Sequence, residues 1–152
     1  RQMCIRDRYL TPGMVPALVF LFGALISFST GSSWGVWSIM MPIAFPMAIA
    51  FDISIPFVVG AVIGGGLFGD QCSPISDTTV LSSTGASCNH IVHVMTQLPY
   101  GITVGISAFV GFLFGGLTGQ YVLSIAVTAA ILTVSLITLT QLTKRRYPEK
   151  VH

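Results

Sequence analysis

Asp70 and Asp77 stand seven residues apart in the run Asp70-Gln71-Cys72-Ser73-Pro74-Ile75-Ser76-Asp77-Thr78-Thr79, with long apolar stretches on both sides. Between positions 9 and 143 the only full charges are three carboxylates, Asp52, Asp70 and Asp77, and no Lys or Arg interrupts the stretch. An ionised carboxylate at membrane depth is costly and marks an ion or proton pathway by default. With no basic side chain at hand, the natural counter-charge is a mobile cation or a proton. The chemistry is cation or proton traffic, and the chain is not expected to be an enzyme.

Sodium is a hard cation and takes oxygen ligands. The polar run offers the carboxylates of Asp70 and Asp77, which form the expected sodium site, and the hydroxyls of Ser73, Ser76, Thr78 and Thr79. A second small-residue run adds those of Ser29, Thr30, Ser32 and Ser33. Pro74 disfavours helix at Ser73 and cannot donate a backbone N–H, so a helix should unwind there and free carbonyls beside the acids. A free Asp carboxyl titrates near about 3.9. Burial and a neighbouring carboxylate raise that value, whereas a bound cation lowers it. Proton and sodium then compete for the same oxygens, and loading one expels the other. No cofactor is expected; the sodium ion and the proton are the transported ligands.

Bland roles compete for some of these residues. Asp77, followed by two threonines and apolar residues, suits the N-cap of the next helix. A cap explains Asp70 poorly, because an acid at a helix C-terminus opposes the dipole. Asp52, in Asp52-Ile53-Ser54-Ile55-Pro56, reads as a structural cap. His90 and His93 lack the further Cys or His ligands of a structural zinc site. They read as an interfacial or hydrogen-bonded pair, with a proton relay at His90 as the alternative. Cys72 and Cys88 read as small residues packed against backbone.

The elements that must hold these groups are membrane helices. Hydrophobic residues make up 53% of the chain and charged residues 8%, against about 25% charged in soluble domains; the mean hydropathy is +0.83. The fold class is all-α integral membrane, a multi-span helical bundle. Apolar runs at 14–28 and 36–51, each short for a full span and joined by the Gly/Ser tip, predict a re-entrant helical hairpin, with two ordinary tilted spans and a surface loop as the alternative. A broken helix follows over about 55–99, crowded at first by Gly60, Gly64, Gly65, Gly66 and Gly69, whose spacings allow close helix approach. Spans over about 100–119 and 121–142 complete the transporter portion, 9–143. Segment 1–8, with four charges, is set aside as non-native or read-through. Residues 144–152 form a tail, and Lys144-Arg145-Arg146 places it in the cytoplasm by the positive-inside rule. Ser29-Thr30-Gly31-Ser32-Ser33 is echoed by Ser83-Thr84-Gly85-Ala86-Ser87, a hint that two breaks meet at one site.

Phe68-Gly69-Asp70-Gln71-Cys72-Ser73-Pro74-Ile75-Ser76-Asp77-Thr78-Thr79, then Leu81-Ser82-Ser83-Thr84-Gly85-Ala86 and Cys88-Asn89-His90, resembles the NhaC-type sodium/proton antiporter family. Gly31-Ser32-Ser33-Trp34-Gly35, Met41-Pro42-Ile43-Ala44 and Thr96-Gln97-Leu98-Pro99-Tyr100 are similar too. The resemblance implies an ion-transporter-superfamily fold of inverted repeats, of which this chain would be the C-terminal half. It implies a multi-pass antiporter of the prokaryotic plasma or inner membrane. The expected partners are the lipid bilayer, the missing N-terminal half and, as a further candidate, a second copy in a homodimer; no nucleic acid is expected. Two alternatives stand beside sodium/proton exchange. One is a sodium/proton-coupled exchanger of organic acids or amino acids, of the malate/lactate type. The remote one is an intramembrane aspartyl protease, whose Gly-x-Gly-Asp signature Gly66-Leu67-Phe68-Gly69-Asp70 misses by one residue.

Overall fold

The computed structural model describes residues 12–146, and side chains through Gln141. Segment 1–8, Cys4 and the tail beyond 146 lie outside the described residues. A 3-10 turn, Pro12–Met14, leads into α1 (Val15–Thr30); α2 (Ser33–Ala50), α3 (Ile55–Cys72), α4 (Asp77–Gly85), α5 (His90–Thr118) and α6 (Tyr121–Arg146) follow, with no strand among the described residues. Five of the helical stretches are long and apolar enough to cross a membrane. The bundle is all-α, as its composition predicts.

Helices α1 and α3 form the centre. A Cβ placed on Gly65 would strike the Phe20 carbonyl, and one on Gly69 would strike the Ala24 carbonyl and lie 2.6 Å from Ser27 Cβ. The contacts advance together along both helices, so α1 and α3 run parallel with their backbones nearly touching. Ser27 ties them further, donating its hydroxyl to the Gly66 carbonyl at 2.6 Å. Gly60 has no atom near enough to make its missing side chain matter, so of the glycines in α3 it plays no part in the approach. Helix α2 returns along the pair, with Val36, Met40, Ala44 and Ala48 buried at four-residue spacing. Pro42 and Pro46 lie inside α2, both on its exposed side. With the 3-10 turn the first arm is 19 residues, and the second is 18. Both exceed the short arms read from hydropathy, so length does not require a re-entrant hairpin.

Helix α5 runs antiparallel to α3: Gly101 lies beside Cys72, Gly105 beside Phe68 and Gly115 beside Phe57. It continues unbroken through Pro99, where the hydropathy reading put a boundary. Helix α6 packs back on α5, Ser124 donating to the Gly111 carbonyl at 2.6 Å. Rings of Phe20, Phe112, Phe57 and Tyr121 form a chain of contacts from α1 through α5 and α3 to the start of α6, with centroids 4.8–5.4 Å apart.

Asp52 is not the cap expected of it. It lies in the turn between α2 and α3 at φ 55°, a left-handed conformation that Asp tolerates better than most residues. Ser54 takes the N-cap position of α3 without a side-chain cap bond.

Candidate functional site

Four residues without helix, 73–76, separate α3 from α4 at Pro74. Asp70 occupies the last turn of α3 and is only 5% exposed. Ser76, fully buried at the N-cap of α4, donates its hydroxyl to Asp70 Oδ1 at 2.6 Å. The Ser76 oxygen lies 2.7 Å from Thr78 Oγ1. With the Ser76 proton committed to the carboxylate, Thr78 is the donor in that second bond. The bond to Ser76 also draws Asp70 to the N-terminal end of α4, whose partial positive charge offsets the negative end of α3. Over the whole stretch 12–143 no Lys or Arg occurs to form an ion pair with it.

Asp77 has a different setting. It is exposed, in the first turn of α4. The N-cap is Ser76 rather than Asp77, which corrects the capping role read from the sequence. An acid in a first helical turn is favoured by the dipole, and that suffices to explain Asp77 locally. The expectation of two buried carboxylates therefore holds for Asp70 alone among the described residues. Nor do the two acids form a matched buried pair of the kind an aspartyl protease uses.

Thr79 lies one turn beyond Ser76, on the buried side of α4, at 4% exposure. Its Oγ1 has no hydrogen-bond partner among the described residues, leaving an oxygen free for a ligand. Ser73 is fully buried, but its Oγ accepts from the Ile75 N–H at 3.3 Å and stabilises the turn.

The hairpin tip reaches this break through its backbone. Gly31 closes α1 at φ +67°, and a Cβ there would lie 3.0 Å from the Ile75 carbonyl carbon and oxygen and 3.1 Å from Ser76 N. The break that meets the tip is therefore 73–76, and the run 83–87 that echoes the tip in sequence is not among the nearest neighbours of Gly31. The tip hydroxyls divide. Ser29 and Thr30 are exposed and donate to the Leu25 and Ile26 carbonyls of their own helix, each at 2.9 Å. Ser33 is buried, and Ser32 is half-buried at the N-cap of α2 without a cap bond.

His90 and His93 do not pair with each other; both lie against α4. His90 Nε2 is 2.7 Å from the Pro74 carbonyl and Nδ1 is 3.1 Å from Ser83 Oγ. His93 Nε2 is 3.4 Å from Ser82 Oγ. Cys72 is buried as expected, whereas Cys88 is exposed. Several structural partners escaped the sequence reading: Ser27, Ser83, Gln97, which donates to the Gln71 carbonyl at 2.9 Å, and Trp37, whose buried Nε1 has no partner among the described residues. A lone serine four residues after Gly23 in an apolar run was the available signal for Ser27. A cavity of about 480 Å³ lies between α3 and α5, apolar for most of its length, with Gln71, Gln97 and Tyr100 among its polar lining. No group of three or more His, Cys, Asp or Glu able to hold a metal occurs among the described residues.

These features define a multi-span helical membrane protein with a buried, unpaired carboxylate at a helix break. The sequence model of the Na+/H+ antiporter family matches residues 5–117. The chain belongs to that family. The match begins inside segment 1–8, which the sequence reading set aside. An uncharacterized Haemophilus influenzae protein is 48% identical over 122 residues, covering 79% of this chain and 23% of the relative. A second Haemophilus influenzae relative, named as an uncharacterized Na(+)/H(+) antiporter, is 34% identical over 70% of this chain and 23% of its own length. The malate-2H(+)/Na(+)-lactate antiporter of Bacillus subtilis is 31% identical over 71% of this chain and 24% of its own. The chain thus spans about a quarter of the curated relatives it matches, a smaller share than the half expected from the repeat architecture. No solved structure matches it.

Proposed function

We propose that this chain supplies the ion-binding break of a secondary antiporter exchanging sodium for protons across a prokaryotic inner membrane. One observation carries the reading: a buried Asp70, held by Ser76, with no basic partner at the end of a broken membrane helix. The carboxylate, the Ser76 and Thr78 hydroxyls and the unpartnered Thr79 oxygen form an oxygen-only set suited to a hard cation. Such a carboxylate is neutralised by a proton or by sodium, and both cannot occupy it at once. Alternation between the two is exchange. Asp77, at the exposed start of α4, is an approach site for the cation. Lipid surrounds the bundle, other parts of a longer polypeptide or a second copy cover the site, and Lys144-Arg145-Arg146 lies on the cytoplasmic side. The test is sodium-induced dequenching of a pH dye in everted vesicles holding the full-length protein. Wild type dequenches and Asp70→Asn does not, although it inserts normally; equal signals from both would end the proposal.

A second reading is favoured by the relative named as a malate-2H(+)/Na(+)-lactate antiporter and by the cavity beside Gln71 and Gln97. On this reading the ion site drives exchange of a small organic acid. An anionic solute is usually met by Arg or by helix N-termini, and 12–143 offers no Arg. Dequenching that requires malate or lactate in addition to sodium selects this reading.

A further inference from the structure

The ring of His90 joins three pieces of the site end. Its Nε2 meets the Pro74 carbonyl inside the break at 2.7 Å, and its Nδ1 meets Ser83 Oγ on α4 at 3.1 Å, while His90 itself opens α5. Ser83 Oγ is also 2.8 Å from the Thr79 carbonyl. Counting protons orders these contacts. A carbonyl oxygen only accepts, so Nε2 carries a proton. Ser83 has a single hydroxyl proton. If the ring is neutral, Nδ1 is an acceptor, and Ser83 donates either to it or to Thr79, never to both. If the ring is an imidazolium, Nδ1–H donates to Ser83, Ser83 donates to Thr79, and Nε2–H donates to Pro74. Only the charged ring makes all three bonds together.

We propose that His90 is a positioning residue whose charged form braces the break and whose neutral form releases one link of the brace. Pro74 lies between Asp70 and Ser76 in sequence, so fixing its carbonyl fixes how Ser76 presents to the carboxylate. The titratable groups on the elements packed around His90 are Asp70 and Cys72 on α3, Asp77 on α4, Cys88 in the following loop and His93 on α5 itself. No hydrogen bond joins any of them to the His90 ring. His90 and His93 are also the only side chains in 12–143 able to bear a positive charge near neutral pH.

The brace can be tested apart from transport. In full-length protein with nitrogen-labelled histidine, the His90 signals are those lost in His90→Gln. In wild type both ring nitrogens carry protons at the acid end of the series, and the Nδ1 signal of Ser83→Ala follows a different course from that of wild type. An identical titration in wild type and Ser83→Ala overturns the proposal, as does an Nδ1 that never protonates. The second readout rests on the exchange reading: the pH profile of sodium-driven exchange in vesicles. One step of the profile is lost in His90→Gln and moved in Ser83→Ala, and the double variant matches His90→Gln. A wild-type profile in His90→Gln, or fully additive effects in the double variant, counts against the brace. Absence of exchange in wild type itself would sink the exchange reading, and the nitrogen titration would still decide the brace.

Discussion

Asp70 and Asp77 are the same side chain, seven residues apart, and the molecule treats them oppositely. Asp70 ends a helix that is packed on α1 through glycines, and it is buried with a serine hydroxyl on its carboxylate. Asp77 begins a short helix whose buried residues are Thr79 and Ser83, and it faces out. For Asp70 the environment removes most of the water and supplies a neutral donor, the Ser76 hydroxyl. For Asp77 water remains, and the helix dipole offers modest support. Residue type alone does not make a site; the packing of the helix that carries the residue does.

Substitutions at four positions test that contrast. The largest effect belongs to Asp70→Asn, which abolishes sodium-driven proton movement in vesicles while membrane insertion is unchanged. Ser76→Ala comes next. A hydrogen bond to a charged group contributes about 1.5–3 kcal/mol, so the apparent KM for sodium rises about 10- to 100-fold. A Val at Gly31 would require a left-handed backbone for a branched residue and would press on Ile75 and Ser76. The strain is about 1–2 kcal/mol, read as lower thermal stability in detergent and slower exchange, with Gly31→Ala milder. The smallest effect is that of Asp77→Asn. Loss of a first-turn acid costs the helix about 0.3–1 kcal/mol, and exchange stays within a few-fold of wild type by the same vesicle measurement. If Asp77→Asn proved as damaging as Asp70→Asn, the contrast between the two acids would collapse.

Much of this was legible before any coordinates. Long uncharged apolar runs set the membrane helices, since their length and composition match a bilayer. Pro74 marked the break because it lacks an N–H and constrains Ser73, and the chain leaves the helix at Ser73. Gly65 and Gly69 announced close packing, and they deliver it. The rest depended on direction. Ser29 and Thr30 have the right oxygen atoms, but a helical hydroxyl can satisfy itself on the carbonyl one turn back, and both do so. His90 and His93 share spacing, yet each turns to α4. Ser27 and Ser83, given no site role from the sequence, prove to be links.

What the chain alone determined is what short-range chemistry controls: apolar length, where a proline or glycine interrupts it, and which oxygens stand near the interruption. Tertiary structure decided which carboxylate loses its water, which hydroxyl reaches it, and that the Gly31 tip meets the break at Ile75 and Ser76. Those outcomes turn on which backbones come within touching distance of one another. That approach is set by small residues on two helices at once, and no single stretch of sequence contains it.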